Sequence, residues 1–151
     1  KNEIVLTDFG GTMNGYCSDT TRCVFTGDIA PDVAEAYEVL LEAQAAGVAA
    51  ATVGTPCQDV DRACRKVIDD AGYGKYFIHR TGHGIGLEAH EDPYIVEGNA
   101  LPLAHGHAFS VEPGIYIPGK WGMRLEDIAA ATNDGPVSYN NSDHHLISVD
   151  A

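Results

Sequence analysis

Basic residues are scarce in this chain: 9 Lys and Arg stand against 22 Asp and Glu, a formal net charge of −13. A surface so poor in cations excludes nucleic acid as a partner, because gripping phosphates takes a Lys/Arg patch. Cations are the better-matched ligands. Long apolar runs are also missing, none approaching the ~20 residues of a membrane helix, so a soluble chain with no membrane partner is expected. Lys1 opens straight into an apolar run without a basic n-region or long h-region, which reads as no signal peptide. Nor is there an initiator Met. The expectation is a true start further upstream and a cytoplasmic location. Cys17, Cys23, Cys57 and Cys64 contain no C-x-x-C pair, which favours reduced packing residues over a disulfide framework.

The commoner catalytic signatures are absent as well. There is no G-x-S-x-G elbow, no H-E-x-x-H zinc helix and no EF-hand loop. Gly82, Gly84 and Gly86 are spaced G-x-G-x-G, not G-x-G-x-x-G, and no helical pattern follows, which argues against a nucleotide cradle. These glycines instead suit a backbone passing close to a ligand or a sheet, with His83 aimed into the space they leave.

What the chain does have is ordinary globular composition, 44% apolar and 21% charged over 151 residues, enough for one domain with its own core. Glu3 to Thr7 is β-rich, Gly10-Gly11 and Asn14-Gly15 supply turn chemistry, and Tyr16 to Phe25 reads as the returning strand of a hairpin. Asp8 and Asp19 then lie on or beside paired strands. Pro31 starts a helix with Val33, Ala36, Tyr37, Leu40 and Ala43 on its buried face. Thr55-Pro56-Cys57-Gln58 has the capping-box pattern of a second helix, buried along Val60, Ala63, Cys64, Val67, Ile68 and Ala71. His107 to Val111, Gly114 to Ile117 and Met123 to Ala131 are β-like runs separated by Pro and Gly. An Asn-Asp-Gly turn and a last short strand follow, with His144 and His145 exposed. The fold class is α+β.

The stretch from His79 to Pro93 sets three histidines among small residues and closes on carboxylates, a mixture that core packing does not ask for. Around it stand Asp8, Asp19, Glu112 and Glu126, each in or beside a β-like run beside apolar neighbours such as Val111 and Leu125. Carboxylates turned inward must be neutralised. With one imidazole from His83 they form an oxygen-rich donor set suited to Mn²⁺ or a similar divalent ion, and shared carboxylates could bridge two. Dispersed donors of this kind carry no sequence signature, so a pair of solvated turn aspartates stays an open alternative.

Six blocks carry a resemblance: Asp8-Phe9-Gly10, Gly15 to Arg22, Thr81 to Gly86, His90 to Pro93, Glu112 to Tyr116 and Arg124 to Asp127. In order and spacing they resemble the pita-bread metallopeptidases, specifically the branch of Xaa-Pro dipeptidase (prolidase) and Xaa-Pro aminopeptidase. The resemblance implies a pita-bread (creatinase/aminopeptidase-like) fold, here a partial domain with a curved antiparallel sheet and two main helices over residues 1–151. It implies two divalent ions, Mn²⁺ first and Co²⁺ or Zn²⁺ as alternatives, with Asp8 on one, His83 and Glu112 on the other, and Asp19 and Glu126 bridging. The ions would generate a bridging hydroxide that attacks the Xaa-Pro carbonyl. Glu112 would shuttle its proton, and His79 and His90 would position the substrate and stabilise the oxyanion. Arg124 would hold Glu126 or a substrate carboxylate. His105 and His107 are expected to be structural, and Glu88, Glu91 and Asp92 to face solvent or cap turns.

In the family, another helix and strand segment precedes the aspartate hairpin, adding a substrate-binding histidine and one wall of the cleft. Its absence here leads to the expectation of a fragment whose own activity is in doubt, from a parent that is a homodimer. The rival expectations are a non-catalytic protein-binding module on the same fold, an inactive fragment of the peptidase, and a metal-free hydrolase like creatinase.

Overall fold

The first feature of the computed structural model, which describes residues 2–150, is a long hairpin. Strands β1 (Ile4–Met13) and β2 (Tyr16–Thr26) pair antiparallel from Ile4↔Phe25 to Met13↔Tyr16. The turn is Asn14-Gly15 alone, both with positive φ (52° and 85°), as a two-residue turn matching strand twist requires. Gly10 and Gly11, expected to help turn the chain, lie inside β1 opposite Asp19 and Ser18. A Cβ on Gly10 would fall 2.1 Å from the Ser18 carbonyl oxygen, so this glycine serves strand approach. Asp8 faces Thr21 and Asp19 faces Gly10, which makes the two aspartates diagonal neighbours on one face.

Helix α1 (Pro31–Ala50) begins on Pro31 and buries Val33, Ala36, Tyr37, Leu40 and Ala43 as the 3.6-residue period predicts, plus Gln44 and Gly47. Helix α2 (Cys57–Asp70) differs from expectation at its start: no side chain caps it. The Thr55 hydroxyl pairs with that of Thr52 at 2.8 Å. The free N–H groups of Cys57 and Gln58 donate instead to the carbonyls of Leu101 and Asn99, both at 2.9 Å. A passing loop satisfies the helix end that a capping box would otherwise satisfy. Of the predicted apolar face, Val60, Cys64 and Ile68 are buried, Ala63 and Val67 partly so, and Ala71 is exposed.

The other strands are β3 (Gly82–Gly84), β4 (Glu91–Ile95), β5 (Ala108–Val111), β6 (Gly114–Ile117), β7 (Trp121–Arg124), β8 (Asp127–Thr132), β9 (Gly135–Ser138) and β10 (Ile147–Val149). The expected run from Met123 to Ala131 is thus two strands broken at Leu125-Glu126. Three sheets result, in the orders β1-β2-β10, β4-β3-β5-β8-β9 and β6-β7, antiparallel throughout except for the parallel pair β2/β10. One core joins both helices to the sheets through Tyr37, Leu40, Ile68, Ile95, Phe109, Ile115 and Met123. Each such side chain contributes roughly 1.5–3 kcal/mol by leaving water. Gly47 is the contact point: a Cβ there would lie 2.3 Å from Cys64 Sγ and 2.7 Å from Val111 Cγ1. Of the four cysteines, all free, Cys23, Cys57 and Cys64 are buried as packing residues. No described helix is long and apolar enough to cross a membrane.

Candidate metal centre

The His/Gly stretch enters the sheet as β3, and its glycines are what admit it. A Cβ on Gly82 would sit 1.8 Å from the Ser110 carbonyl oxygen, and one on Gly84 2.4 Å from that of Asp92. Between them His83, 2% exposed, is held by its neighbours. Its backbone N–H donates to Ser110 Oγ at 3.0 Å, and its Nδ1 lies 3.0 Å from the Gly84 carbonyl. Donation from Nδ1–H to that carbonyl fixes the tautomer and leaves the Nε2 lone pair facing the site.

Around that nitrogen the acidic residues converge from both ends of the chain. His83 Nε2 lies 3.3 Å from Glu112 Oε1 and 3.8 Å from Asp19 Oδ2. Three overlapping groups have donor atoms within 4.8 Å of one another: Asp19, His83 and His90; His83, Glu112 and Glu126; Asp8, Asp19 and Glu126. The structure therefore brings all five expected donors, Asp8, Asp19, His83, Glu112 and Glu126, into one cleft of about 830 Å³ that is also lined by His79, His90, Arg80, Tyr94 and Arg124. The exposed His90 approaches closely enough to be a sixth candidate donor, its ring centroid 4.0 Å from that of His83.

The carboxylates are under electrostatic strain. Burial raises Glu112 to about 7, and burial with the Glu112 charge raises Glu126 to about 8. Asp19 is raised by burial and by the charge of Asp8. Burial lowers His79 and His83, favouring the neutral imidazole. Of the two arginines in the cleft, Arg124 stands in direct contact with the acids. Arg124 pairs with Asp8, donates to Thr21 Oγ1 at 2.9 and 3.0 Å, and lies 3.7 Å from Glu112 and 4.0 Å from Glu126. It is not the partner of Asp127, which pairs with Arg22 at 2.7 Å. Four converging carboxylates and one imidazole lone pair face two guanidiniums, Arg124 and Arg80, and protons held on Glu112 and Glu126 supply the rest of the neutralisation; divalent ions fit this donor set in place of those protons.

Several residues act here to which reading the sequence assigns no role. Buried Thr21 accepts from Arg124 and donates to Glu126 Oε2 at 2.5 Å, and Ser110 links the His83 amide to Glu112 Oε1 at 3.0 Å. Their hydroxyls carry no pattern of their own. Arg80 lies over the Tyr94 ring, 4.9 Å from its centroid. Its Nε is buried without a hydrogen-bond partner, and it makes no ion pair among the described residues. His79 is engaged on both ring nitrogens, by the Arg80 carbonyl at 2.7 Å and Tyr116 Oη at 3.0 Å. His105 and His107 accept backbone N–H groups of Asn133 and Ala104, each at 3.2 Å, in structural positions. Contrary to expectation His144 is only partly exposed, with Nε2 2.7 Å from the buried Asp127; His145 is exposed.

Comparison with known proteins places this geometry in context. The profile of metallopeptidase family M24 matches residues 1–133. The chain is 53% identical to a probable dipeptidase PepE of Mycobacterium tuberculosis over 150 residues, 99% of this chain and 40% of that one. It is 48% identical to an Xaa-Pro dipeptidase of Lactobacillus delbrueckii over 150 residues, 98% of this chain and 41% of that one. A prolidase structure from Thermococcus sibiricus superposes with a TM-score of 0.95 at 43% identity, covering 99% of this chain and 41% of that one. The chain thus spans about 40% of the length of the curated relatives it matches.

Proposed function

Because this chain belongs to metallopeptidase family M24, we propose that it carries the dinuclear metal centre of a peptidase that hydrolyses Xaa-Pro bonds. The observation that carries this reading is the convergence of five donors, Asp8, Asp19, His83, Glu112 and Glu126, in one cleft beside an unpaired arginine. Asp19 and Glu126 would be the donors shared by two ions, with Asp8 on one side and His83 and Glu112 on the other. Four carboxylates to one imidazole is the oxygen-rich balance that Mn²⁺ favours. Bound divalent ions supply Lewis acidity toward a carbonyl oxygen and lower the pKa of water.

The residues do the rest. Glu112, held by the Ser110 hydroxyl and 3.3 Å from His83 Nε2, would accept a proton on its carboxylate from the attacking water and return it to the leaving nitrogen. Arg124, committed to Asp8 and Thr21, orients the acids and is not free for substrate. Arg80 is free. A cation with a buried, unpartnered Nε at the wall of an acidic cleft suits the terminal carboxylate of a short substrate, which favours a dipeptide over a longer peptide. His90 faces the cleft from an exposed position and meets the substrate carbonyl, while His79 orients the Tyr116 hydroxyl.

The test is hydrolysis by the intact Mn²⁺-loaded protein of an Xaa-Pro dipeptide, its C-terminal amide and a longer Xaa-Pro peptide. Turnover is expected for the dipeptide, weakened for the amide, and abolished by His83→Ala or Glu126→Ala. Cleavage of none of the three refutes the peptidase reading.

A further inference from the structure

The two donors that must share an ion, Asp19 and Glu126, arrive on β2 and at the entrance to β8, yet these strands are not ladder partners. They meet at one isolated bridge, Thr21↔Glu126, whose Glu126 N–H to Thr21 carbonyl distance is a long 3.3 Å. With the Thr21 hydroxyl on Glu126 Oε2 at 2.5 Å, that bridge ties Glu126 to Thr21 but does not reach Asp19. The segment following β9 does so with side chains. Asn140 Nδ2 donates to the Asp19 carbonyl at 2.9 Å and to Thr20 Oγ1, while Asn140 Oδ1 accepts the Ile128 N–H at 2.7 Å. One amide therefore holds the backbone of Asp19 on β2 and that of Ile128 on β8. The adjoining Tyr139 N–H donates to the Ile128 carbonyl at 2.9 Å.

Arg22 laces the same three segments from the other side. Its Nη1 donates to the carbonyls of Thr21 and Glu126 at 2.8 and 2.7 Å, its Nη2 to Asp127 Oδ1 at 2.7 Å, and its Nε to the Asp143 carbonyl at 3.0 Å. Asp127 is fixed in turn by Gln44 Nε2 at 3.1 Å. Asn140 lies beyond residues 1–133, the part matched by the family profile.

We infer that Asn140 is a positioning residue of the metal centre, a clamp from the C-terminal segment that sets the spacing of Asp19 and Glu126 so that both can bind one pair of ions. This rests on the reading that the site holds two ions. Outer partners that orient ligands typically change metal affinity 10–100-fold when removed. Asn140→Asp keeps the acceptor for Ile128 but cannot donate to Asp19 or Thr20, and Asn140→Ala removes both functions.

The experiment titrates the intact metal-free protein with Mn²⁺ alone, reading affinity by calorimetry and the exchange-coupled dinuclear signal by electron paramagnetic resonance. Ile68→Val, a core change in α2, controls for general destabilisation. The wild type and Ile68→Val are expected to bind two ions with a coupled signal. Both Asn140 variants are expected to bind the second equivalent at least tenfold more weakly and to show uncoupled Mn²⁺. Full affinity with an intact coupled signal in the variants overturns the inference, as does equal loss in Ile68→Val. A wild type that takes up fewer than two ions overturns the metal-centre reading itself, and the inference with it.

Discussion

Raising the pH from 7 to 8 should destabilise the metal-free protein. Glu112 and Glu126 are raised by burial from an ordinary 4.5 to about 7 and about 8. Between 4.5 and those values the folded chain holds protons that the unfolded chain has released. Stability therefore falls as pH rises through this interval, with a slope of 1.36 kcal/mol per pH unit for each proton of difference. At pH 7 Glu112 is half protonated and Glu126 mostly so, and at pH 8 Glu126 is half protonated. The two together lose about 1.4 kcal/mol over that single unit, about 1 of it from Glu126. For a chain of this size that is a drop of roughly 3–6 °C in thermal midpoint. The window is chosen to isolate them. His79 and His83, lowered by burial, cost stability only as pH falls through their ordinary 6.5, and the raised thiols of Cys23 and Cys64 matter mainly above pH 8. Thermal denaturation in chelator at pH 7.0, 7.5 and 8.0 reads the slope. Glu126→Gln should remove more than half of it. Saturating Mn²⁺ should flatten it, because ions displace the protons that only the metal-free fold retains. A metal-free midpoint that is flat or rises from pH 7 to 8 refutes the electrostatic account of the site.

Two further substitutions probe the scaffold and the cleft. Gly47→Ala should destabilise by about 1–3 kcal/mol through overpacking, although Ala is the better helix former by about 1 kcal/mol; the contacts at 2.3 and 2.7 Å decide the sign, and chemical denaturation measures it. Arg80→Gln should raise KM for an Xaa-Pro dipeptide at least tenfold and leave KM for its C-terminal amide nearly unchanged. Equal effects on both substrates would exclude Arg80 as the carboxylate anchor.

What could be read from the sequence was whatever is local. The Asn14-Gly15 turn and the period of α1 from Val33 to Ala43 depend on residues near one another, and each appears in the structure. The errors share a cause in distant partners. Thr55 and Gln58 have the right letters for a capping box, but the carbonyls of Asn99 and Leu101 reach the helix end first. Asp61 interrupts the apolar face of α2 because its carboxylate accepts the Thr81 N–H at 3.0 Å and pairs with Arg65 at 2.7 Å. The donor residues were legible as types in blocks. Their supports, Thr21, Ser110 and Asn140, were not, since a hydroxyl or amide is defined by what it touches and not by its spacing.

The single bridge between Thr21 and Glu126 spans 105 positions of sequence, a separation of the kind that slows folding. No early, locally formed structure can offer a complete ion site, because closing so long a loop comes late and is slow. Ions that bind only after the rate-limiting barrier leave the refolding rate untouched and slow the reverse reaction. Ions held there would act as a lock on the finished fold, lengthening its lifetime.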